Sequence, residues 1–372
     1  MSDRTNNNPQ EHYYSVMDLD EYIRQGEPSQ IERSRAWQTA IGLQQVDGLK
    51  TSDYLLDTAR QHIEGDITIE EAKALIDSYY KSQTARLDVE DDRTEEADKV
   101  AARITELLSE KTFSMTPTQL YSIHRRLFDG IYKMAGRVRD YNITKNEWVL
   151  RGESVYYESF ENIGATLEYE IRQEKEYSYE GISLDAAIKH LVHFCSYLWQ
   201  IHPFCEGNTR TTAVFIIKYL HTLGFNVAND MFAEHSWFFR NALVRANYSN
   251  LHEGIAETPE YLERFFRNLL LGEQAPLRNR ELHLDWKPEN LPQSVIEDIQ
   301  SANLLSPKCK NCTLEELAVL RVIQQNPSVT QKQIAVEIGK SERTIKTLTV
   351  TLTEKGVIER VNGKRNGYWK LV

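Results

Sequence analysis

The segment that most restricts the fold of this chain joins two apolar helices in the middle of the sequence. It reads His202-Pro203-Phe204-Cys205-Glu206-Gly207-Asn208-Thr209-Arg210. Because a proline disfavours helical backbone in the residue before it, the first helix is predicted to end near His202. Gly207 and Asn208 permit a tight turn, and the next helix begins near Thr209. The backbone N–H groups at that helix start point outward, and together with the helix dipole they favour phosphate.

Three side chains of this segment offer chemistry beside a bound phosphate. Arg210, in the first turn of the second helix, offers a forked cation for a second phosphate. Glu206 offers a hard oxygen ligand where Mg²⁺ would bridge the protein and a nucleotide. His202 would face the phosphate under attack and take a hydroxyl proton near neutral pH. Each residue alone is more often a helix cap, a turn or a core histidine, so the prediction depends on their joint spacing.

The segment resembles the signature of the Fic family, HPFx(D/E)GNGRxxR, whose members mostly transfer AMP from ATP to protein hydroxyls. Residues 123–145, IHRRLFDGIYKMAGRVRDYNITK, are similar to the family's upstream stretch, in which a helix leads to an Ala-Gly turn, an arginine and a flap. Residues 239–247, FRNALVRAN, are similar to its late helix. The resemblance covers residues 115–272. It implies a mainly α fold, in which a Fic-type helical bundle carries a small β-hairpin flap.

The resemblance also implies roles for single residues. His202 would be the general base and Glu206 the metal ligand, with ATP and Mg²⁺ as cofactors. The flap would span about 146–156 and would align the target segment by strand addition. The ATP-binding positions implied by the motif, the flap and the late helix are Glu206, Gly207, Asn208, Thr209, Arg210, Val149, Leu150, Arg151, Gly152 and Asn247.

Two residues depart from the family signature. Thr209 replaces the second glycine, but its backbone N–H remains, so phosphate binding should survive. Ala213 replaces the second arginine, which usually helps to hold the γ-phosphate and also anchors an inhibitory glutamate. Residues 62–80 resemble the inhibitory helix (S/T)xxxE(G/N), with Glu64 as its glutamate and Arg60 at its Ser/Thr position. Glu64 is therefore predicted to be a weak inhibitory residue, and a surface glutamate before a C-cap glycine is the alternative.

The end of the chain differs in character from the rest. Its two short β-prone runs, VIERV and YWKLV, are joined by NGKRNG, a strong hairpin turn signal. Three helices followed by a basic hairpin describe a winged helix-turn-helix, with the recognition helix at Ser341 to Leu352. Arg343 and Lys346 would face outward on that helix, and Lys364 and Arg365 would lie on the wing near phosphates. The three predicted helices span 314–325, 330–338 and 341–355.

Composition restricts the partners. The formal net charge is −11, which argues against a protein built mainly to bind nucleic acid. Residues 313–372 hold ten Lys/Arg and six Asp/Glu, a balance of +4, so the other 312 residues sum to −15. DNA and protein contacts both remain open for this basic end. No apolar run is long enough to cross a bilayer and the start carries no signal-peptide core, so a cytoplasmic protein without a membrane partner is predicted.

These observations divide the chain and leave more than one function open. The leading hypothesis is an adenylyltransferase that modifies a Ser, Thr or Tyr hydroxyl of a target protein or of itself. One alternative is a DNA-binding regulator whose Fic-like body senses nucleotide, and another is a Fic-type transferase with a different nucleotide or phosphodiester donor. His124, on the apolar face of its helix, is interpreted as a core histidine.

The predicted domains are 1–30, a disordered or variable N-terminus; 31–112, helical with the inhibitory-type helix; 113–272, the catalytic core; 273–312, a linker; and 313–372, the winged helix.

Overall fold

Helices make up most of both parts into which the chain divides. The computed structural model describes residues 19–83, 89–225, 227, 230–286, 312–361 and 367–372. Clustering of the backbone separates two units, Met1–Ser109 and Glu110–Val372. Within the described residues, no helix has both the length and the apolar character that a membrane span requires. The predicted mainly α fold is confirmed.

The first unit is a helical bundle joined by a buried carboxyl group. Asp98 is fully buried and accepts hydrogen bonds from the Ser52 backbone N–H at 2.9 Å and from the Tyr80 hydroxyl at 2.7 Å. These bonds connect three helices, because Ser52 is the N-cap of α3 while Tyr80 lies on α4 and Asp98 on α5. The helices are α1 (Asp20–Gln25), α2 (Pro28–Gly42), α3 (Asp53–Glu64), α4 (Ile69–Gln83) and α5 (Val89–Ser109), with a 3-10 turn at Leu43–Asp47.

A glycine C-cap ends α3. Gly65 adopts φ 89° and its N–H bonds back to the Gln61 carbonyl at 3.1 Å, which ends the helix. Thr68 and Glu71 then form a reciprocal cap, with N–H to side-chain distances of 2.7 and 3.2 Å. Both the end of α3 and the start of the next helix therefore follow from local residue types.

The predicted variable N-terminus differs from the structure. Residues 19–30 include α1 and the first turn of α2. Glu27 and Gln30 form a capping box around Pro28, a residue suited to the first turn of a helix. Leu19 is buried, and its carbonyl accepts a bond from the Ser34 hydroxyl at 2.8 Å. Residues 1–18 lie outside the described part of the chain.

The core of the second unit surrounds two helices, α8 and α9. Every residue of α9 from Asn208 to Leu220 is buried, and α8 places most of its apolar side chains inside. Thr116 caps the first helix of this unit, since its hydroxyl accepts the Gln119 N–H at 3.2 Å, and Pro117 occupies the first turn. The core helices are α6 (Pro117–Phe128), α7 (Ile163–Glu176), α8 (Leu184–Ile201), α9 (Asn208–Thr222), α10 (Asp230–Ala246) and α11 (Glu260–Leu271).

The predicted β-hairpin flap is replaced by an irregular loop. No strand lies in residues 140–156, all of which the structure describes. Instead, the Glu147 N–H bonds to the Glu153 carbonyl at 3.0 Å, and a 3-10 turn spans Trp148–Leu150. The apolar residues that suggested strands, Val149 and Leu150, are fully buried instead. Burial of adjacent residues cannot be met by a strand with one solvated face, since its side chains alternate between faces.

The C-terminal segment forms the predicted winged helix. It consists of α12 (Leu314–Gln325), α13 (Gln331–Glu337), α14 (Glu342–Glu354) and strands β1 (Ile358–Val361) and β2 (Tyr368–Leu371). The strands pair antiparallel, with Ile358 opposite Leu371 and Val361 opposite Tyr368. Thr313, Thr330 and Ser341 cap the three helices.

The winged helix is packed on the core, within the same unit. Arg321 on α12 donates to the Leu269 carbonyl of α11 at 2.7 Å and lies 5.9 Å from the Phe225 ring centroid. Part of the predicted linker is also ordered against the core, because the Arg245 guanidinium donates to the Leu282 carbonyl at 2.8 Å. Residues 287–311 lie outside the described residues.

Candidate active site

His202 occupies a strained backbone position at the end of α8. It is the C-cap of that helix, with φ 49° and ψ 58°, and only 4% of the residue is exposed. Left-handed backbone in a residue other than glycine costs energy and is often found at functional sites. Because Pro203 restricts helical backbone at the preceding residue, the sequence itself favours a non-helical His202. The strain is therefore built into the sequence at this position.

The imidazole of His202 is buried and neutral. Its ring centroid lies 4.1 Å from that of Tyr157 and 5.3 Å from that of Trp199. Nδ1 lies 3.3 Å from the Trp199 carbonyl oxygen, which only accepts, so Nδ1 carries the hydrogen and Nε2 keeps its lone pair. Burial, followed by the charges of nearby Lys145 and Arg139, holds the pKa of His202 well below its usual range. A neutral imidazole with a free Nε2 is the form that can accept a proton.

Arg139 holds the turn that contains His202, and sequence reasoning assigned it no role. Its Nε donates to the His202 carbonyl at 2.8 Å and its Nη1 donates to the Tyr141 carbonyl at 2.8 Å. Its Nη2 reaches the carbonyls of Glu158 and Ile201, and only 2% of the residue is exposed. The sequence signal was an arginine shortly after the Ala-Gly turn. Its contacts became visible only with the fold.

The loop after His202 is closed by Asn208. The Asn208 amide oxygen accepts from the Phe204 N–H at 2.9 Å, and its amide nitrogen donates to the Phe204 carbonyl at 2.7 Å. Gly207 adopts φ 75°, and an added Cβ would lie 2.4 Å from a ring carbon of Phe128. Only glycine fits there without displacement of the ring. The Thr209 hydroxyl accepts the Trp199 indole N–H at 3.0 Å, so the side chain is used within the protein.

Backbone groups at the start of α9 are oriented for a ligand. Gly207 is the N-cap, and its side-chain position offers no oxygen to the first turn. The first N–H groups of an α-helix have no carbonyl of a preceding turn to bond to, so they are available to a ligand at the N-terminus. These groups and the helix dipole form the predicted phosphate site.

His124 also contacts the loop between His202 and α9, through the Glu206 carbonyl. Its Nδ1 accepts the Gly136 N–H at 2.8 Å, which leaves the hydrogen on Nε2, 2.9 Å from the Glu206 carbonyl oxygen. Its ring is stacked on Phe204, with centroids 3.7 Å apart. Burial is the main cause that lowers the pKa of His124 to about 4. The residue is buried, as predicted, but it also connects the Ala-Gly turn to the phosphate loop.

Arg210 lies beneath the loop and is fully buried. Its Nη2 is 3.0 Å from the Tyr132 hydroxyl, and its guanidinium carbon lies 4.8 Å from the Phe128 ring centroid. Phe128 and Tyr132 are stacked, with centroids 4.6 Å apart. The two aromatic residues fix the cation at the base of the predicted phosphate site.

Glu206 is the carboxylate closest to that site in sequence, and it faces solvent. Its side chain is 60% exposed, and Oε2 lies 2.7 Å from the ammonium group of Lys145. Among the described residues, no group of three or more His, Cys, Asp or Glu side chains could hold a metal ion. The described residues therefore contain no complete metal site, and the assignment of Glu206 as a metal ligand stays a prediction.

The predicted flap and nucleoside residues divide into two groups. Val149 and Leu150 are buried, whereas Gly152 and Arg151 are exposed, and Arg151 pairs with Asp285 at 2.7 Å and with Glu253 at 3.0 Å. Asn247 is nine-tenths buried. Its amide nitrogen donates to the Ser196 hydroxyl at 2.9 Å and to the Leu243 carbonyl at 2.9 Å. Their assignment to nucleotide binding stays a prediction.

Glu64 belongs to the first unit, where it is the last residue of α3. It accepts a hydrogen bond from the hydroxyl of Tyr22, a residue of α1 that sequence reasoning did not connect with it. Burial, helped by Glu64, raises the pKa of Tyr22 to about 12. Arg60 lies 3.9 Å from Asp57. The inhibitory role of Glu64 stays a prediction.

Two of the four residues predicted to contact DNA lie in the described part of the chain. Arg343 and Lys346 are exposed on α14. Lys364 and Arg365 lie outside the described residues. The side of α14 that carries Arg343 and Lys346 is therefore open to a partner.

Comparison with known proteins agrees with this geometry. Residues 114–220 match the model of the Fic/DOC family, and residues 316–359 match the model described as winged helix-turn-helix DNA-binding. The chain contains a Fic domain. "Protein adenylyltransferase VbhT" from Bartonella schoenbuchensis is 25% identical over 201 residues, which cover 53% of this chain and 40% of that protein. The chain thus matches less than half of that relative's length.

A solved structure is also similar at low level. It is described as the crystal structure of a Fic family protein from Desulfovibrio desulfuricans G20, with 12% identity and a TM-score of 0.36. The alignment covers 96% of this chain and 93% of the other. A TM-score of that size establishes no shared fold, and the Fic assignment depends on residues 114–220.

Proposed function

We propose that this chain transfers AMP from ATP to a Ser, Thr or Tyr hydroxyl of a target protein or of itself. The observation that carries the proposal is the state of His202, a buried neutral imidazole with a free Nε2, five residues before a helix N-cap. The Fic domain supports it, as does the similarity to a protein adenylyltransferase of Bartonella schoenbuchensis. ATP and the protein target are the partners that this reaction requires.

In the proposed reaction, Nε2 of His202 removes the proton from the target hydroxyl as its oxygen attacks the α-phosphorus of ATP. The new bond joins that oxygen to phosphorus, and the bond to the bridging oxygen of pyrophosphate breaks. The N–H groups of residues 208–210 would hold the phosphates, and the buried Arg210 would add positive charge below them. Arg139 would keep the base in place through its bonds to the turn.

The residues present are compatible with Mg²⁺ under one condition. Mg²⁺ is usually held by one or two carboxylates together with phosphate oxygens and water. Glu206 supplies one exposed carboxylate, so phosphates and water would complete the shell. The ion would neutralise charge on the phosphates. Lys145 would have to release Glu206, because it now contacts one carboxylate oxygen.

The direct test offers the purified chain each nucleoside triphosphate labelled at the α-phosphate, with Mg²⁺. Mass spectrometry then identifies any modified residue in the chain or in an added lysate. Transfer of the AMP group alone supports the proposal. Transfer of another nucleotide or a phosphodiester group would establish a different donor, and no transfer to any protein would contradict a transferase.

A second function has separate support in the winged helix. Its family match and the exposed Arg343 and Lys346 on α14 favour DNA as the partner of this segment. Binding of the chain to duplex DNA should weaken steeply with salt, because phosphate contacts release counterions. Replacement of both residues by alanine should reduce DNA affinity by about tenfold or more. Unchanged affinity in that variant would leave protein contact as the function of the segment.

A further inference from the structure

An ion pair between a buried glutamate and a partly buried arginine connects the flap loop to α10. Glu147 begins the loop and is 1% exposed. Its Oε2 lies 2.7 Å from Nη1 of Arg240, and its Oε1 accepts from Nη2 at 3.1 Å. Both carboxylate oxygens therefore lie near one guanidinium group, and one hydrogen bond, from Nη2 to Oε1, joins the two side chains.

The same glutamate organises the loop through its backbone. Its N–H donates to the Glu153 carbonyl, and its own carbonyl accepts the N–H groups of Leu150 and Gly152, each at 3.0 Å. Residues 147–153 therefore close on Glu147. A displacement of its side chain would be transmitted to the loop backbone.

Tyr157 extends this connection to the base. Its hydroxyl donates to Oε1 of Glu147 at 3.3 Å, and its ring centroid lies 4.1 Å from that of His202, with the planes tilted by 35°. The contacts run without a gap from Arg240 through Glu147 and Tyr157 to the imidazole. Neither the phosphate loop nor the predicted metal ligand takes part in them.

We propose that Glu147 is a positioning residue, which with Arg240 fixes Tyr157 against His202 and so couples the flap loop to the general base. The proposal rests on the function proposed above. Glu147 acts in two ways. It holds the tyrosine ring on one face of the imidazole, and its carboxylate offsets the charge of Arg240. The charges that act on this imidazole are those of Lys145, Arg139 and Arg240, and Tyr157 is the titratable residue stacked against it.

Opposite changes of charge in the pair should act on His202 in opposite directions. Glu147→Gln keeps the shape of the side chain but leaves the cation of Arg240 without its counter-charge, so the pKa of His202 should fall. Arg240→Gln leaves the carboxylate next to Tyr157, so the pKa of His202 should rise. A purely structural role would not produce shifts of opposite sign.

The experiment measures the His202 pKa by NMR in the full chain with ¹³C-labelled histidine, assigned by the loss of one signal in His202→Ala. A matched control is Glu281→Gln, which breaks another pair between a buried glutamate and a partly exposed arginine, Arg264, at 2.8 Å. The control should leave the His202 titration unchanged. Shifts in the same direction for both members of the Glu147–Arg240 pair, or shifts equal to those of the control, would overturn the proposal.

Turnover supplies a second readout. Glu147→Gln and Tyr157→Phe should each lower kcat by about tenfold, with little change in KM for ATP, because both disturb the base rather than the phosphate site. The double variant Glu147→Gln/Arg240→Gln carries a neutral pair and should recover much of the loss. It also serves if a single variant fails to fold, since it buries no unpaired charge. No change in kcat for Tyr157→Phe together with no recovery in the double variant would refute the coupling.

The two readouts separate this proposal from the function on which it rests. NMR titration needs no substrate. If the opposite pKa shifts occur in a chain that transfers no nucleotide, the positioning role stands and the transferase proposal fails. If AMP transfer occurs while neither the pKa nor kcat responds to the pair, only the positioning role fails.

Discussion

Protonation of His124 should loosen the phosphate loop, and the cost follows from its contacts. In the folded protein Nδ1 accepts the Gly136 N–H, so a proton there would remove that bond. Burial lowers the pKa of His124 to about 4, whereas the unfolded chain has the ordinary value near 6.5. When the pH lies between these two pKa values, His124 therefore binds a proton in the unfolded state but stays neutral in the folded state. The free energy of unfolding must fall over that range.

The magnitude follows from linkage. Between about pH 7.5 and about pH 5, this single group should lower the free energy of unfolding by about 2 kcal/mol. The contribution of neutral His124 to the free energy of unfolding is fully present above about pH 6.5 and is lost as the pH falls towards 4. Below about pH 4 this residue should cause no further loss. His124→Phe keeps a ring against Phe204 but cannot take up a proton.

Urea unfolding of wild type and His124→Phe at both pH values isolates the effect, because all other histidines are common to the two proteins. The variant should be less stable at neutral pH by about 1–3 kcal/mol, since the Gly136 N–H and the Glu206 carbonyl lose their partner. The gap between the proteins should then narrow by about 2 kcal/mol near pH 5. A gap that stays constant with pH would refute the assignment of a neutral, bridging His124.

Three other outcomes follow from the site. Gly207→Ala should lower the free energy of unfolding in urea by about 3 kcal/mol, because the new side chain adds left-handed strain to a clash with Phe128. The control is Gly152→Ala, at φ 90°, where no heavy atom lies within 4 Å of an added Cβ. That variant should cost only the strain, about 1–2 kcal/mol. Lys145→Met should move the acid limb of the pH–rate profile to higher pH, because the lysine charge lowers the His202 pKa; an unmoved limb would contradict this. Glu64→Gly should raise the initial rate of transfer by a few-fold at most, because Ala213 stands where an anchoring arginine would be; activation by several orders of magnitude would mean that another cation holds Glu64.

Local signals predicted the elements of the site well. Proline after His202 predicted the end of α8, and glycine at 207 predicted the turn before α9. The capping residues Thr116 and Thr313 also mark helix starts that the structure contains. These signals succeed because each depends on the backbone within a few residues.

The contacts that position the base were not predictable in the same way. Arg139 lies 63 residues from His202, and Arg240 lies 93 residues from Glu147, so no local pattern joins them. The flap was predicted as a hairpin from the family resemblance and from a stretch that breaks helical spacing and is β-branched in places, but burial of both Val149 and Leu150 excluded a ladder. Tertiary packing overrode local preference there.

The winged helix shows the same limit at larger scale. Its helices and strands followed from sequence, but its attachment to the core did not. In the sequence, Arg321 looks like an ordinary helix residue, but its guanidinium donates a hydrogen bond to the Leu269 carbonyl near the end of α11. Burial lowers its pKa to about 10. Only the fold reveals that this cation is part of an internal contact.

The central claim is that His202 removes the proton of the target hydroxyl while the AMP group moves from ATP to that hydroxyl oxygen and pyrophosphate leaves. The most direct measurement supplies wild type and His202→Ala with ATP labelled either at the α-phosphate or at the γ-phosphate, and follows protein-bound label over time. The account predicts label from the α-phosphate alone, with the initial rate about 10²–10⁴-fold lower in the variant while its folding and ATP binding are retained. His193→Ala, at an exposed histidine of the same helix, should transfer label like wild type. Transfer of the γ-label, or wild-type rates in His202→Ala, would contradict the account.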